Sequence, residues 1–282
     1  MDSGSTDSTI SIAKRYPVKI VSIKPEDFSF GASLNMGCKV AQGEFIVIAS
    51  AHVYPVYKNW LEKLIAPFSN PKVGIVYGKQ RGNESTKFSE HQIFQKWFPD
   101  RGDPQQDHPF CNNANAVIRR ALWEKWHYDE ALSGLEDLAW AKRIVAEGFS
   151  ICYEADAEII HVHNETMANI YNRYQREAVA LKCIYPEEHF GFFHFIFLFL
   201  GTVSSDCLHA VREYKLCKNF ASIIGFRLMQ FWGTYSGFQK RGDVSAKLKR
   251  KFYYPRGFSI AEQPRKSFPE KSQKIVYSSN GR

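Results

Sequence analysis

The chain has 282 residues, of which 44% are hydrophobic and 23% charged, the composition of a globular protein. Its 37 lysines and arginines exceed its 29 aspartates and glutamates, which gives a formal net charge of +8 at pH 7. These charges are dispersed, and no zinc-finger spacing or other nucleic-acid motif accompanies them. We therefore expect no nucleic acid partner, whereas phosphate-bearing molecules or an anionic membrane surface fit the charge.

The first residues form a loop of the type that joins a strand to a helix. Residues 2–8 (DSGSTDS) combine an acid, a Gly/Ser turn and a cluster of helix-capping side chains. Such a loop presents a carboxylate and hydroxyls at the carboxyl edge of a sheet, where α/β proteins bind nucleotides. After it, residues 6–15 predict a short helix and the β-branched run 18–23 predicts a buried strand.

Strands and helices alternate over the following residues. Segment 44–50 (EFIVIAS) is nearly all apolar, which predicts a strand covered by helices on both faces. Residues 81–109 are polar without clear periodicity and predict a long excursion over the sheet. Apolar runs and amphipathic stripes predict helices at 32–42, 57–68, 121–126 and 136–147, and strands at 73–77, 115–119, 150–153 and 157–162. This alternation predicts one doubly wound α/β domain over residues 1–166.

The C-terminal part has a different pattern. Residues 167–240 predict helices, and residues 241–282 predict a basic, poorly ordered tail. Segments 190–200 and 219–233 are rich in aromatic residues and flanked by lysines and arginines, as in helices that lie on an anionic membrane. The alternative is a helical pair that packs on the first domain or on a second subunit.

The cysteines and the longest apolar run bear on location. The six cysteines are scattered without paired spacing, which predicts reduced thiols and a cytoplasmic protein. The apolar run 190–203 is shorter than the roughly 20 residues of a spanning helix. We therefore expect a cytoplasmic protein, with peripheral attachment at the inner face of the membrane as a further expectation.

Five segments, in chain order, resemble the inverting glycosyltransferases of family 2. They are DSGSTDST, NMGCKVAQGEFIVIAS, NNANAVIRR, GLEDLAWAKRIVAEG and IIHVHNET, and the resemblance covers residues 2–181. Each motif is weak alone, but their common order is specific, and bacterial polysaccharide-assembly enzymes are the most similar group. The resemblance implies a GT-A-like, doubly wound mixed sheet followed by a helical region. It also implies transfer of a sugar, with inversion, from a nucleotide-diphosphate-sugar donor to a carbohydrate or lipid-linked acceptor.

The resemblance assigns the chemistry to the acids that open the helix at 136. Asp137 corresponds to the general base, which takes the proton of the acceptor hydroxyl as that oxygen attacks the anomeric carbon. Glu136 is expected to orient Asp137 or to touch the acceptor. The alternative is that both acids only complement the helix dipole in its first turn.

The resemblance also suggests the binding residues. Asp2 and Ser3 are expected to contact the nucleotide, although Asp2 also fits a turn carboxylate. Asn35 is expected to face the nucleotide or donor sugar, or else to pack inside the protein against a loop. Asn115 and Arg119 lie in NNANAVIRR, which corresponds to the acceptor side of the cleft, where an arginine would also clamp a diphosphate.

The expected metal site departs from the family pattern. Where members commonly carry Asp-any-Asp after the strand at 44–50, this chain has Ser50-Ala51-His52. His52, with His161 or His163, is expected to hold a divalent cation, for which imidazole favours Mn²⁺ over Mg²⁺. The alternative is that these histidines are hydrogen-bonded structural residues.

Members of the family also carry a strand, a helix and a second strand before the position of Asp2. We therefore expect this chain to lack that unit and to show weak or no catalysis. Two alternative functions follow from this expectation, a non-catalytic nucleotide-sugar-binding remnant and a membrane-surface assembly module.

Overall fold

A computed structural model describes residues 1–240, so the tail expected at 241–282 lies outside the described residues. Six strands form one sheet: β1 (Phe45–Ala49), β2 (Val53–Pro55), β3 (Val73–Arg81), β4 (Asp103–Gln106), β5 (Asn115–Arg119) and β6 (Ser150–His161). The α-helices in the described part are α1 (Thr9–Ala13), α2 (Phe30–Val40), α3 (Trp60–Ile65), α4 (Phe88–Trp97), α5 (Arg120–Lys125), α6 (Glu136–Ala146), α7 (Met167–Ile184), α8 (Phe192–Arg212) and α9 (Leu216–Phe238).

The sheet has the strand order β1-β5-β3-β6-β2, and β4 pairs with the first half of β6. Strands β3 and β6 are parallel, whereas every other pair is antiparallel. The register places Ala49 opposite Asn115 and Val53 opposite His161. The fold is therefore the expected mixed α/β sheet, and the turn between β1 and β2 comes next to the end of β6.

Helices cover both faces of the sheet. On one face, α2, α4, α5 and α6 contribute to a core around Ile75, Ile118 and Ile144, each at most 1% exposed. On the other face, α3 places Leu64 against Val76 and Val117. Each large apolar side chain buried in this way contributes roughly 1.5–3 kcal/mol to folding. The two cores hold the strand ends, and the polar side chains on them, in fixed positions.

The edge strand β1 corrects the prediction that helices cover both of its faces. Ile46 and Ile48 are buried, but Val47 is 38% exposed. Among the described strands β1 pairs only with β5, so it lies at the edge of the sheet, where the face that carries Val47 is not fully covered. The strand predicted at 18–23 is also wrong, because Ser22 forms only an isolated bridge with Asp2 and Val18 is exposed.

Two further segments differ from the predictions. Residues 81–109 contain α4 and β4, where we predicted an irregular excursion. The buried face of α4 carries Phe88 and Phe94 but also Ser89 and Glu90, and these polar residues obscured its helical periodicity. The strands predicted at 150–153 and 157–162 are one continuous strand of 12 residues, β6.

The C-terminal helices pack on one another and on α4. At the close crossing of α7 and α9, a Cβ on Gly233 or Gly237 would lie 2.5–2.6 Å from atoms of α7. The buried Arg227 of α9 donates to both carboxylate oxygens of Asp206 on α8, with Nε 2.7 Å from Oδ2. Arg227 also donates to the carbonyl of Ser89 on α4. The helical region is thus joined to the sheet domain, as the packing alternative proposed.

Candidate functional site

Asp137 is held at the start of α6 by two backbone N–H groups. Its Oδ1 accepts from Leu138 N at 2.8 Å, and its Oδ2 accepts from Asn113 N at 3.2 Å. Leu135, just before the helix, has a φ of 54°, in the left-handed region that is costly for a branched residue. Such strain is common at functional sites. The helix start therefore fixes this carboxylate against the loop at 111–113.

Burial sets the acidity of the two neighbouring carboxyls. Burial raises the pKa of Glu136, and the negative charge of Asp137 raises it further. Burial also raises the pKa of Asp137, although the N–H groups of Asn113 and Leu138 oppose this shift. A carboxylate with a raised pKa is a stronger proton acceptor, as a general base requires.

Three histidines meet where the β1–β2 turn reaches the end of β6. The Nε2 atoms of His52 and His161 lie 2.8 Å apart. One nitrogen from each of His52, His161 and His163 lies within 4.8 Å of the others. Backbone pairing fixes this arrangement, because the N–H of Val162 donates to the carbonyl of His52 at 3.1 Å.

Gln80 on β3 determines which nitrogen of His161 carries the proton. Its Nε2 donates to Asn112 Oδ1 at 3.0 Å, so its Oε1 is left as an acceptor. His161 Nδ1 lies 2.7 Å from that Oε1 and must therefore donate to it. In the neutral ring the lone pair is then on Nε2, which faces His52. A buried amide thus prepares His161 as a ligand, as outer-shell groups do at metal sites.

His163 is oriented in the same way by a carboxylate. Its Nδ1 lies 2.8 Å from Glu90 Oε1, which also accepts from Arg173 at 2.9 Å. Arg173 forms a second ion pair, 2.8 Å long, with Glu165. Because Nδ1 of His163 is engaged in this hydrogen bond with Glu90, Nε2 is the nitrogen that is left to bind a ligand.

Burial favours the neutral rings of His52 and His161. Burial lowers the pKa of His161 to about 2, with His163 and His52 adding to the effect. Burial also lowers the pKa of His52. Burial by itself would raise the pKa of Glu90, but His163 and Arg173 outweigh it, so the net shift is downward. The site therefore presents imidazole nitrogens, neutral in His52 and His161, that could hold a divalent cation.

A short chain of contacts joins the histidines to Asp137. Gln80 holds His161 on one side and Asn112 on the other. The next residue, Asn113, donates its N–H to Asp137. The loop that connects β4 to β5 thus links the histidine cluster, through Gln80 and His161, to the helix start that carries Glu136 and Asp137.

Asn35 and Arg119 lie elsewhere and have structural partners. Asn35 Nδ2 donates to Tyr128 O and Glu130 Oε1, while its Oδ1 accepts from Trp123 Nε1 and Tyr128 N. These bonds match the alternative that Asn35 packs against a loop. Arg119, at the far end of β5 from Asn115, donates to the carbonyls of three residues: Val73, Phe68 and Asn70.

Asn115 is fully buried, with all its polar groups in use. Its Oδ1 accepts from Trp60 Nε1, and its Nδ2 donates to the carbonyls of Lys79 and Ala157. It therefore stabilises the sheet next to the site and presents no group to a ligand. The acceptor or phosphate role expected for Asn115 and Arg119 does not fit these contacts.

Asp2 lies in the exposed N-terminal loop. Its carboxylate accepts from the N–H groups of Gly4 and Ser5 and from the Ser5 hydroxyl. The hydroxyl contact, helped by the two N–H groups, lowers the pKa of Asp2. Asp2 is therefore a turn carboxylate that is ionised and open to solvent, and Ser3 is the next residue of the same turn.

Gln80, Glu90 and Arg173 are site residues that sequence reasoning missed. Gln80 had one local signal, as a polar residue at the end of an apolar strand, and it is only 1% exposed. Glu90 and Arg173 had none, because they are 83 residues apart in the chain. Each is explained only by a partner on a distant element.

Comparisons with known proteins find similarity to glycosyltransferases. The model of "Glycosyl transferase family 2" matches residues 1–126. Over 249 residues the chain is 26% identical to the O-antigen chain rhamnosyltransferase WbaN of Salmonella anatum, covering 82% of this chain and 79% of the relative. It is 22% identical over 254 residues to RfbN of Salmonella typhimurium, with the same coverage of 82% and 79%.

Among solved structures, the mannosyltransferase PcManGT from Pyrobaculum calidifontis is similar to the chain with a TM-score of 0.52 at 17% identity. The match covers 90% of this chain and 77% of that chain, whose structure was determined with GDP-Man and Mn²⁺. At this identity the similarity shows the fold alone. The expected GT-A-like sheet with a helical C-terminal region is thereby confirmed.

Proposed function

We propose that the chain is a family 2 glycosyltransferase with the GT-A fold, and that it adds a sugar, with inversion, to an acceptor in polysaccharide synthesis. The donor is a nucleotide-diphosphate sugar and the acceptor a carbohydrate or lipid-linked glycan. The observation that supports this most is the placement of Asp137 beside the loop that also holds the histidine cluster.

Asp137 acts as the general base. The acceptor hydroxyl gives its proton to the Asp137 carboxylate while the hydroxyl oxygen forms a bond to the anomeric carbon. On the opposite face of the sugar, the bond to the diphosphate oxygen breaks, and the nucleoside diphosphate leaves with that electron pair. Glu136, buried and with a raised pKa, supports Asp137 from the same helix turn.

His52, His161 and His163 form the cation site of this proposal. Imidazole nitrogens suit Mn²⁺ better than Mg²⁺, which prefers oxygen ligands. A bound cation would neutralise negative charge on the departing diphosphate. The residues present fit such an ion because Gln80 and Glu90 contact the Nδ1 atoms of His161 and His163, so that Nε2 is the nitrogen of each ring that is available as a ligand.

Asp2 and Ser3 remain our proposal for nucleotide contact, supported by the open carboxylate of Asp2 in its turn. Asn35 and Arg119 we assign to holding the fold together. Asn115 has the same role beside the site.

A lipid-linked acceptor would place the protein at a membrane, and α8 offers the surface. It is the only helix in the described part of the chain that is long and apolar enough to cross a membrane by length and composition. Its other face packs on the protein through Phe195 and Ala210. A stripe along the outward face is more than half exposed, formed by Phe193, Phe197, Leu200, Leu208 and Val211.

The charges near α8 favour an anionic lipid surface as the occupant. Arg212, Lys215 and Lys218 are exposed at the end of the helix, although Lys215 pairs with Glu213 at 2.7 Å. Because α8 is packed against the protein on one side, we propose that it lies in the membrane–water interface and does not span the membrane. This attachment would place the enzyme at the cytoplasmic face of the membrane.

Vesicle co-sedimentation tests the attachment. The chain is expected to bind vesicles of phosphatidylcholine with phosphatidylglycerol, and to bind phosphatidylcholine alone more weakly. Replacing Phe193 and Phe197 by serine should release it, whereas Leu61→Ser, which alters an exposed leucine on α3, should not. Equal binding by both variants would contradict the proposal.

The transfer is tested with a panel of nucleotide-diphosphate sugars and Mn²⁺, by product analysis and calorimetry. Asp137→Asn should lower kcat by roughly 10²–10⁴-fold while nucleotide-sugar binding is kept. Glu147→Gln, at the other end of α6, is the matched control. Full turnover by Asp137→Asn would refute the base assignment. Donor binding without any transfer by the wild-type chain would favour the non-catalytic alternative.

A further inference from the structure

A cavity lies beside the proposed site, on the same face of the sheet as α6. It has a volume of about 660 Å³ and opens between the end of α4, strand β4 and the loop that follows β4. The cavity is lined by aromatic, amide and charged side chains, among them Tyr77, Trp97, Arg101, Asp103, Gln106 and Phe110. None of the roles described above involves this cavity.

The floor of the cavity is rigid. Tyr77 and Gln106 are at most 7% exposed, and the Tyr77 hydroxyl donates to Gln106 Oε1 at 2.8 Å. Gln106 Nε2 in turn donates to the carbonyls of His108 and Phe110. Its polar groups are thus fixed before anything binds, which lowers the entropy cost of binding.

One wall is an aromatic platform. The ring of Trp97 stacks on Phe110, with centroids 4.9 Å apart and an interplanar angle of 27°. Trp97 is nevertheless 47% exposed, which is unusual for so large an apolar side chain. Phe110 supports it from below and also contacts Tyr77 edge-on. An exposed ring held in this way suits the C–H face of a sugar.

The remaining wall is polar and carries both signs of charge. Lys96 and Arg101 are cationic and Asp103 is anionic, so the cavity does not present the single positive field that a polyanion requires. Donors and acceptors around an aromatic platform instead match an uncharged molecule with many hydroxyls. Pockets with a few fixed polar groups beside aromatic surface are typical of small-ligand sites.

The loop that lines the cavity also contacts the proposed base. Phe110 is followed by Cys111, whose Sγ lies 3.5 Å from the carbonyl of Asp137, and then by Asn112 and Asn113, which hold Gln80 and Asp137. Three residues span at most about 10 Å. A glycan whose terminal hydroxyl is at Asp137 can therefore reach Trp97 with its next sugars.

We propose that this cavity is a subsite for the acceptor glycan and that Trp97 stacks on a sugar next to the one that reacts. The proposal rests on the proposed function and adds to it a determinant of acceptor length. Trp97 and Arg101 hold the glycan, while the proton transfer stays with Asp137.

Calorimetry without donor or metal tests the subsite separately from transfer. The probes are mono-, di- and trisaccharides of rhamnose and of mannose. The wild-type chain should bind the di- or trisaccharide of one series more tightly than its monosaccharide. Trp97→Ala should weaken the affinity for the longer saccharide by roughly tenfold, the effect of losing one aromatic contact, and so remove that gain. Tyr57→Ala, an exposed aromatic outside the cavity, should keep it.

Arg101→Ala is a second variant, because its exposed loop position makes misfolding a weak explanation for lost binding. No gain with glycan length in the wild type, or the same gain in Trp97→Ala, overturns the subsite even if sugar transfer is observed. A gain that depends on Trp97 in a chain that transfers no sugar would support the subsite and count against the proposed function instead.

Discussion

The replacement Gln80→Leu tests whether a buried amide prepares the histidine cluster. Gln80 is 1% exposed and makes two side-chain hydrogen bonds, accepting from His161 Nδ1 and donating to Asn112 Oδ1. Leucine has nearly the same size but neither group. His161 would lose the acceptor that keeps its proton on Nδ1, and the loop that supports Asp137 would lose its tie to β3.

Two magnitudes follow from those contacts. Each polar group left buried without a partner costs about 1–3 kcal/mol of folding free energy. Loss of an outer-shell hydrogen bond to a ligating histidine weakens metal binding by roughly 10–100-fold. Gln80→Leu should therefore fold with reduced stability and bind Mn²⁺ more weakly by about that factor.

The assay is Mn²⁺ titration calorimetry at neutral pH, with urea denaturation of the same samples. Gln106→Leu is the control, because Gln106 is also a buried glutamine with several hydrogen bonds, none of which reaches an imidazole ring. It should lose stability and keep its Mn²⁺ affinity. If Gln80→Leu binds Mn²⁺ like the wild type, or if both variants lose affinity equally, the role given to Gln80 is wrong.

Three other expectations follow. The pKa of Glu136 is raised above its ordinary 4.5, so above pH 4.5 the folded state keeps a proton that the unfolded chain loses. The free energy of unfolding therefore falls as pH rises from 4.5 to the raised pKa, by at most about 1.4 kcal/mol per pH unit. Denaturation at pH 5 and pH 8 should show that Glu136→Gln removes this fall and that exposed Glu62→Gln does not. Arg119→Gln should lower unfolding free energy by about 1–3 kcal/mol with unchanged KM for the donor, whereas a raised KM would restore a phosphate role. His52→Ala should weaken Mn²⁺ binding in calorimetry, whereas wild-type affinity should change little between about pH 7.5 and 6.5 because burial lowers the pKa values of His52 and His161; unchanged affinity in His52→Ala would exclude ligation by His52.

Local sequence patterns predicted several elements accurately. The strand predicted at 115–119 has the bounds of β5, and the helix predicted at 136–147 agrees with α6 to one residue. Gly148 ends that helix with a φ of +87°, the conformation that its position predicts. Capping residues and apolar runs act over a few residues, so the sequence shows them directly.

Roles that depend on distant partners could not be predicted. The hydrogen-bonding groups of Asn35 are occupied by residues 88 to 95 positions further along the chain. The guanidinium of Arg119 is held by carbonyls 46 to 51 positions earlier. An asparagine or arginine in a motif looks the same to sequence reasoning whether it faces a ligand or the protein interior.

By itself, the sequence determined the chemical groups at hand, namely a pair of acids at a helix start and three histidines at two strand ends. It also determined the order of strands and helices that implies a mixed α/β sheet. Only the tertiary structure decided which nitrogens carry protons, because Gln80 and Glu90 approach the histidines from other elements. It also decided that Trp97 is exposed beside a cavity. That exposure depends on how α4 packs against the loop after β4, and the local sequence of neither segment specifies this packing.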